Sequence, residues 1–402
     1  MQDRLPPLRL TGAMTLRDGV MQQRTVAVAD GRIAAGPFPA IDLTGYYVLP
    51  GIIDLHGDAF ERHIAPRPTA PFPALTGLRG ADRDAAANGV TTAWLAQSWS
   101  WEGGMRSPEF AEVLMKTLDD YRPEAMTDLR IQIRYETHEH GSADRLLAAV
   151  RRHAIDYVIF NNHLDEAVKM ATLNPANLSD WASKSGRTSA ELLEVVTKAK
   201  QLSKEVPRRL AGLADAFDVL GVRYGSHDDP EAETREFYSM IGAKICEFPL
   251  TQEAAAVARA VGDPVLMGAP NVVRGGSQSG NIAAIGLIRR GLCDALVSDY
   301  FYPALSQAAF RLVDDGILDL PAAWALISRN PARIIGLPDR GVIELNRRAD
   351  LTIVNQQTKV VEGTISNGRL TYLGGAAAAR FMGRSVVAER VPERVAEQVA
   401  AE

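Results

Sequence analysis

A chain of 402 residues with 46% apolar side chains has room for a barrel of about 250 residues and a further domain, and its composition is that of an ordinary globular protein. A net charge of −5 excludes nucleic acid as the expected partner and leaves any anion binding to local basic clusters. No apolar run approaches the ~18 residues of a membrane span and no leader-like segment is evident, so a cytoplasmic protein without a membrane partner is expected.

The first fifty residues alternate short apolar runs with turns. Leu8-Arg9-Leu10, Thr25–Val28, the Asp30–Ile33 stretch and Tyr46–Leu49 read as strands, with Asp18-Gly19 as a turn. The same texture returns at Gly341-Val342-Ile343, Asp350–Val354 and Gly363–Gly368. Two β-rich flanks predict a small sheet domain made from both termini, residues 1–50 and 338–375, around an insert spanning 51–337. A tail over 376–402 is left as either an oligomer contact or a loose end.

Within the insert, eight apolar strand candidates alternate with helical stretches: Ile52–Leu55, Thr91–Leu95, Leu129–Tyr135, Tyr157–Phe160, Val222–Gly225, Lys244–Phe248, Pro264–Met267 and Ala295–Val297. Eight βα units in series predict a closed (β/α)8 TIM barrel. Residues Ala167 to Leu220 interrupt the rhythm with a polar loop at 174–177 and a long helical pattern. Thr188 with Glu191 is the capping box that opens it.

Active sites of such barrels lie at the C-terminal strand ends, so the residues just past each candidate carry the functional reading. The first strand ends in His56-Gly57-Asp58. Side chains at i and i+2 of a strand share a side and can grip one ion together. Glu136 follows the third strand, His163 the fourth, Ser226-His227-Asp228-Asp229 the fifth, Glu247 the sixth and Ser298-Asp299-Tyr300 the eighth. Of only seven histidines, three (His56, His163, His227) stand at strand ends. Mixed imidazole and carboxylate donors from several strands suit a catalytic divalent metal, Zn, Mn, Fe or Ni. Two ions would need a bridging carboxylate, for which Glu136 is the candidate. Asp299 is the candidate acid–base.

The seventh strand leads into Gly268-Ala269-Pro270-Asn271-Val272-Val273-Arg274-Gly275-Gly276-Ser277. Glycines let backbone N–H groups approach a phosphate, and arginine adds a planar fork of donors. Arg62, His63 and Arg67 form a second basic cluster after the first strand. His138 and His140 read as solvated loop residues and His153 as a cap or surface residue. Trp94, Trp99 and Trp101 read as packing side chains, with Trp101 the most exposed. Cys246 and Cys293, each in an apolar run, read as buried free thiols.

Leu49-Pro50-Gly51-Ile52-Ile53-Asp54-Leu55-His56, with Asn330-Pro331-Ala332-Arg333 and Arg348-Ala349-Asp350-Leu351, resembles the amidohydrolase superfamily. Its members pair a metal-dependent (β/α)8 barrel with a small β-sandwich from both termini. Further motifs resemble the PhnM-type diphosphatases of the carbon–phosphorus lyase pathway. They are Glu61-Arg62-His63 with Pro66-Arg67-Pro68, Ser226-His227-Asp228-Asp229, Glu247-Phe248-Pro249, the Gly268–Ser277 run, Ser279-Gly280-Asn281 and Ser298-Asp299-Tyr300. The chain departs from that pattern at Asn161-Asn162-His163-Leu164-Asp165, which lacks a Pro-Gly-Gln-rich loop, and at Gln278, where the family has histidine.

The resemblance implies a metal-dependent hydrolase that releases pyrophosphate from a ribose 5-triphosphate bearing an anomeric phosphonate. His56, Asp58, Glu136, His163, His227 and Asp299 would hold one or two zinc ions, with Asp299 also shuttling the proton of the attacking water. Arg62, His63, Arg67, Asp228, Arg274, Gly275, Gly276, Ser277 and Asn281 would bind the substrate. A homo-oligomer, dimer or tetramer, is expected. A deaminase or cyclic-amide hydrolase and a non-catalytic scaffold relative are the competing readings of the same frame.

Overall fold

The computed structural model describes residues 4–67, 70–173, 179, 181–183, 185–277 and 280–383. The polar loop at 174–177, Pro68, Gln278, Ser279 and the tail beyond 383 lie outside the described residues.

All eight barrel strands form where the apolar runs place them: Ile52–Gly57, Val90–Trp99, Asp128–Glu136, Tyr157–Asn161, Arg223–His227, Ile245–Glu247, Val265–Gly268 and Ala295–Val297. They pair in parallel in sequence order as one eight-stranded sheet. The ring closes between the eighth strand and the first through a parallel bridge from Gly57 to Asp299. Asp299 N–H donates to the His56 carbonyl at 3.0 Å and Asp58 N–H to the Asp299 carbonyl at 2.7 Å. Closure therefore sets three of the sequence-predicted residues side by side.

Gly57 is required at that seam. A Cβ there would stand 2.7 Å from both Asp54 Oδ2 and Ser298 Oγ, inside contact distance.

Most of the barrel interior is apolar, with Ile53, Leu55, Trp94, Tyr157, Ile159, Ile245, Leu266 and Val297 in one cluster. The third strand is the exception. Its Ile131, Ile133 and Tyr135 pack outward with the helices, and the alternate positions Asp128, Arg130, Gln132, Arg134 and Glu136 are polar. Period-2 alternation sends that polar row to the barrel's inner face.

The flanking strands make two sheets. Four N-terminal strands form one, in the order Arg32–Ala34, Val26–Ala29, Leu8–Thr11, Ala40–Asp42. Six form the other, where Tyr46–Pro50 pairs antiparallel with Leu351–Asn355 and joins the two ends of the chain. Leu8, Val26, Val28, Val48, Ile353 and Ile365 meet between the sheets, so the pair is a β-sandwich. Asp18 and Gly19, both at positive φ, make the turn between Met14–Arg17 and Val20–Gln23, a hairpin that sequence periodicity left out. Gly341-Val342-Ile343 is not a strand; Ile343 packs into the sandwich core without pairing. A helix over 375–383 adds Ala377 to that core.

The interruption after the fourth strand is helical. Leu164–Leu173, Ser189–Gln201 and Val206–Leu220 are separate helices, and the Thr188–Glu191 capping box is formed. Leu164, Ala167, Leu192 and Val196 bury Trp101, whose ring packs at a tilt against Trp181, 5.9 Å between centroids. Trp101 is thus packed rather than exposed, because the inserted helices cover the loop that carries it. Among the described residues, no helix is long and apolar enough to cross a membrane.

Candidate active site

A cavity of about 310 Å³ opens at the C-terminal ends of the strands. His56, Asp58, His227, Asp228 and Asp299 line it, so strand ends one, five and eight converge as the sequence predicts. Gly276, Ser277, Asn281 and Arg274 form another wall beside Gly268, Pro270 and Asn271. Asn271 fixes that wall, donating to the Ile282 carbonyl at 3.1 Å and accepting from Ala284 N–H at 2.9 Å. Gly275, at φ 81°, terminates the Ala269–Arg274 helix and is not itself in the lining.

Three strand-end residues, Asp228, Phe248 and Asp299, hold positive φ of 59°, 50° and 56°. Such conformations cost non-glycine residues about 1–3 kcal/mol each and persist where the surroundings enforce them. Here they turn the chain at the cavity edge. The Phe248 ring packs on both imidazoles, 5.2 Å from His56 and 4.9 Å from His227.

His56, His227 and Glu247 bring ligand-capable atoms within 4.8 Å of one another. Glu247 is completely buried. Its Oε2 meets His56 Nδ1 at 2.8 Å, and its Oε1 accepts from Gln132 Nε2 at 2.7 Å and Tyr157 OH at 2.5 Å. That bond makes Nδ1 the protonated nitrogen and leaves Nε2 as the remaining donor atom of His56 for a metal. Burial opposes charge on His56, but the Glu247 carboxylate outweighs it and raises the imidazole above its usual value. Burial lowers His227 despite Asp228 beside it, favouring the neutral, ligating form. His227 Nδ1 is buried and makes no hydrogen bond, although Asp228 Oδ2 lies 2.9 Å away. An orphaned imidazole nitrogen beside two further donors fits a divalent metal. Asp299 is pushed up to about 6, chiefly by burial and then by the Asp58 charge.

Glu136 and His163 do not join this cavity's lining. They meet Glu102 in a second group: His163 Nδ1 lies 2.8 Å from Glu136 Oε1 and 3.2 Å from Glu102 Oε1. Glu102 also accepts from Arg106 at 2.7 Å and from Trp181 Nε1 at 2.9 Å, which ties the inserted helices to the barrel mouth. Burial opposes the charge on His163, yet its bonds to the two carboxylates raise it to about 9.

Arg62, His63 and Arg67 stand outside the cavity. Arg62 donates to the Tyr300 carbonyl at the rim, His63 faces Asp84 at 3.5 Å and Arg67 is exposed. A five-residue helix, Phe60–Ile64, carries the first two, and its buried face is taken by Phe60 and Ile64.

A relative from Escherichia coli K12, an α-D-ribose 1-methylphosphonate 5-triphosphate diphosphatase, is 32% identical over 359 residues, 87% of this chain and 92% of that protein. The chain belongs to the family of that diphosphatase. No family model matches the chain. Solved structures share its fold at low identity. An Xaa-Pro dipeptidase with bound methionine superposes with a TM-score of 0.63 at 14% identity, covering 92% of this chain and 100% of that one. The N-acetylglucosamine-6-phosphate deacetylase of Pasteurella multocida gives 0.60 at 12%, covering 90% and 99%. The β-aspartyl dipeptidase of Fervidobacterium islandicum AW-1 gives 0.62 at 16%, covering 92% and 97%.

Within this hydrolase frame, sequence reasoning left out Glu102, Arg106 and Arg134 as site residues, and placed Glu247 at the sixth strand end without giving it a role. The third strand carried a usable signal, since polar side chains at every second position of a barrel strand must face inward. Glu102 carried none, because its partners lie on a different loop and in the inserted helices. His138 is buried rather than solvated, and desolvation lowers it to about 4. His153 caps its helix and pairs with Asp119 at 2.6 Å. Both cysteines are free, Cys246 buried and Cys293 partly so.

Proposed function

We propose that this protein hydrolyses α-D-ribose 1-methylphosphonate 5-triphosphate to the 5-phosphate and pyrophosphate. The observation that carries the reading is a single polar cavity with metal-capable strand ends and a wall of Arg274, Gly276, Ser277 and Asn281. The name of the 32% identical relative supports this substrate, and the wall suits a polyanion better than a neutral heterocycle.

His56, Asp58, His227 and Asp299 would hold a divalent metal, with zinc the expected ion and Mn, Fe or Ni alternatives. Glu136 and His163, completed by Glu102, would hold a second. A bound divalent ion lowers the pKa of water and offsets phosphoryl charge. The remaining work falls to the chain's own side chains. Asp299, raised to about 6, is ionised at neutral pH and accepts a proton from the attacking water. Arg274 and the Gly276–Ser277 segment receive the β- and γ-phosphates, which depart as pyrophosphate. Asp228 borders the cavity beside His227, and Arg62 acts only from the rim, through Tyr300.

Pyrophosphate release from the ribosyl triphosphate, measured before and after chelation and again after restoring zinc or manganese, tests the reading. Stoichiometric pyrophosphate with the metal-replete enzyme is expected. Orthophosphate as the first product, or no release at all, rejects it.

A further inference from the structure

Arg134 stands on the inner face of the third strand and lines the cavity with His56, His227 and Asp299. It is only 7% exposed. Its nearest ionic partner is Asp58 Oδ2 at 3.9 Å, beyond hydrogen-bond range, and its Nε is buried without an acceptor.

The structural arginines of this protein look different. Arg235, wholly buried, also has an unpartnered Nε, but it sets its terminal nitrogens on Ser226, Asp229, Asp263 and the Ala243 carbonyl, whereas those of Arg134 find no such acceptors among the described residues. Arg340 is bonded to Asp128 and Thr92. Arg106, on the same cavity, is taken up by Glu102. Desolvating a guanidinium without acceptors is costly, and placing it beside metal-ligating side chains adds repulsion of the ion. Both penalties vanish if an anion sits between the guanidinium and the metal ligands.

Strand order shows where such an anion would lie. In an eight-stranded ring the third strand lies opposite the seventh, so Arg134 faces the Arg274–Ser277 wall across the axis. The ligands of strands one and five lie on the crossing diameter.

We propose that Arg134 is a catalytic residue whose guanidinium grips the nonbridging oxygens of the phosphoryl group under attack. This rests on the diphosphatase reading. Water oxygen bonds to the α-phosphorus, the bond from that phosphorus to the α–β bridging oxygen breaks, and its electron pair leaves with pyrophosphate. The proton passes to Asp299. Charge on the equatorial oxygens in the transition state is what Arg134 meets, with the geometry of a planar fork.

The test uses metal-loaded wild type, Arg134→Gln and Arg134→Lys, with inorganic phosphate titrated by calorimetry and pyrophosphate release assayed in parallel. Arg134→Gln is expected to lower kcat about 10²–10³-fold, as loss of one preorganised donor does, with metal content unchanged. Phosphate affinity should fall about tenfold or more. Arg134→Lys keeps the buried charge and the fold, and should recover phosphate binding but not the rate, since the fork is lost. Variants that bind phosphate like wild type and turn over within about twofold of it overturn the inference. So does wild-type enzyme that binds no phosphate. A wild type that releases no pyrophosphate rejects the diphosphatase reading alone, because weakened phosphate binding in Arg134→Gln still places the guanidinium on the anion.

Discussion

Two histidine–carboxylate groups stand at the mouth of this barrel; burial opposes charge on every imidazole, and the carboxylates beside each ring make the difference. In the first, Glu247 is saturated by His56, Gln132 and Tyr157, and His227 is neutral with a bare nitrogen. In the second, two carboxylates clamp His163 and raise it to about 9, so without metal it is an imidazolium in an ion-paired triad. The first group is set to receive a cation. The second already holds one, its own proton, and a metal must displace it. The same residue types therefore do different work according to how many carboxylates reach each ring.

The comparison breaks most visibly at Asp299. Asp299→Asn should cost about 10²–10⁴-fold in turnover, the usual range for a positioned acid–base group, while metal remains bound by the histidines. Unchanged pyrophosphate release would remove Asp299 from the chemistry. Glu247→Gln comes next: it loses the charge that supports His56 and should weaken metal binding about 10–100-fold, read by competition with a chelating dye. Equal affinity would show that Glu247 only fills space.

Glu102→Gln probes the second group. The loss of a charge-assisted bond to His163 and of the Arg106 pair should lower stability by about 1.5–3 kcal/mol in denaturant titration, leaving the first metal in place. Elemental analysis should fall from two bound metals to one, since Glu102 completes the second group; two retained metals would remove it as a ligand.

The smallest effect is on pH dependence. A folded value of about 9 for His163 lies above the ordinary 6.5, so its stabilisation is complete below about pH 6.5 and is lost as pH rises through 9. The metal-free protein should therefore lose Tm between pH 7 and 10, and Glu102→Gln should flatten that fall. A Tm independent of pH over this range would mean that the triad is not ionic.

Much of this molecule was legible without coordinates. Eight strand candidates alternating with helical stretches specify the parallel strands, most of them apolar runs because a strand buried on both faces favours apolar residues. His56, Asp58, His227 and Asp299 follow from those runs, since a strand end in a barrel can open only onto the mouth. The β-sandwich from both termini follows from the matching texture of the flanks, although the weakly patterned hairpin of Met14–Arg17 and the edge strand Val20–Gln23 was missed.

What sequence alone determined was the order of elements and the residues at their ends, because hydrophobic periodicity and strand alternation are local properties. Tertiary structure decided which of those ends share a cavity. Glu136 and His163 meet Glu102, a carboxylate held by Arg106 of its own loop and by Trp181 of the inserted segment. Arg62 and His63 turn outward because Phe60 and Ile64 take the buried face of their helix, and Arg67 lies exposed beyond its end. Arg134 enters because the third strand points its polar row inward, and Glu247 becomes the partner of His56 across 191 positions of sequence. Such pairings depend on which strands lie across the ring from one another, a relation that no local pattern of residues encodes.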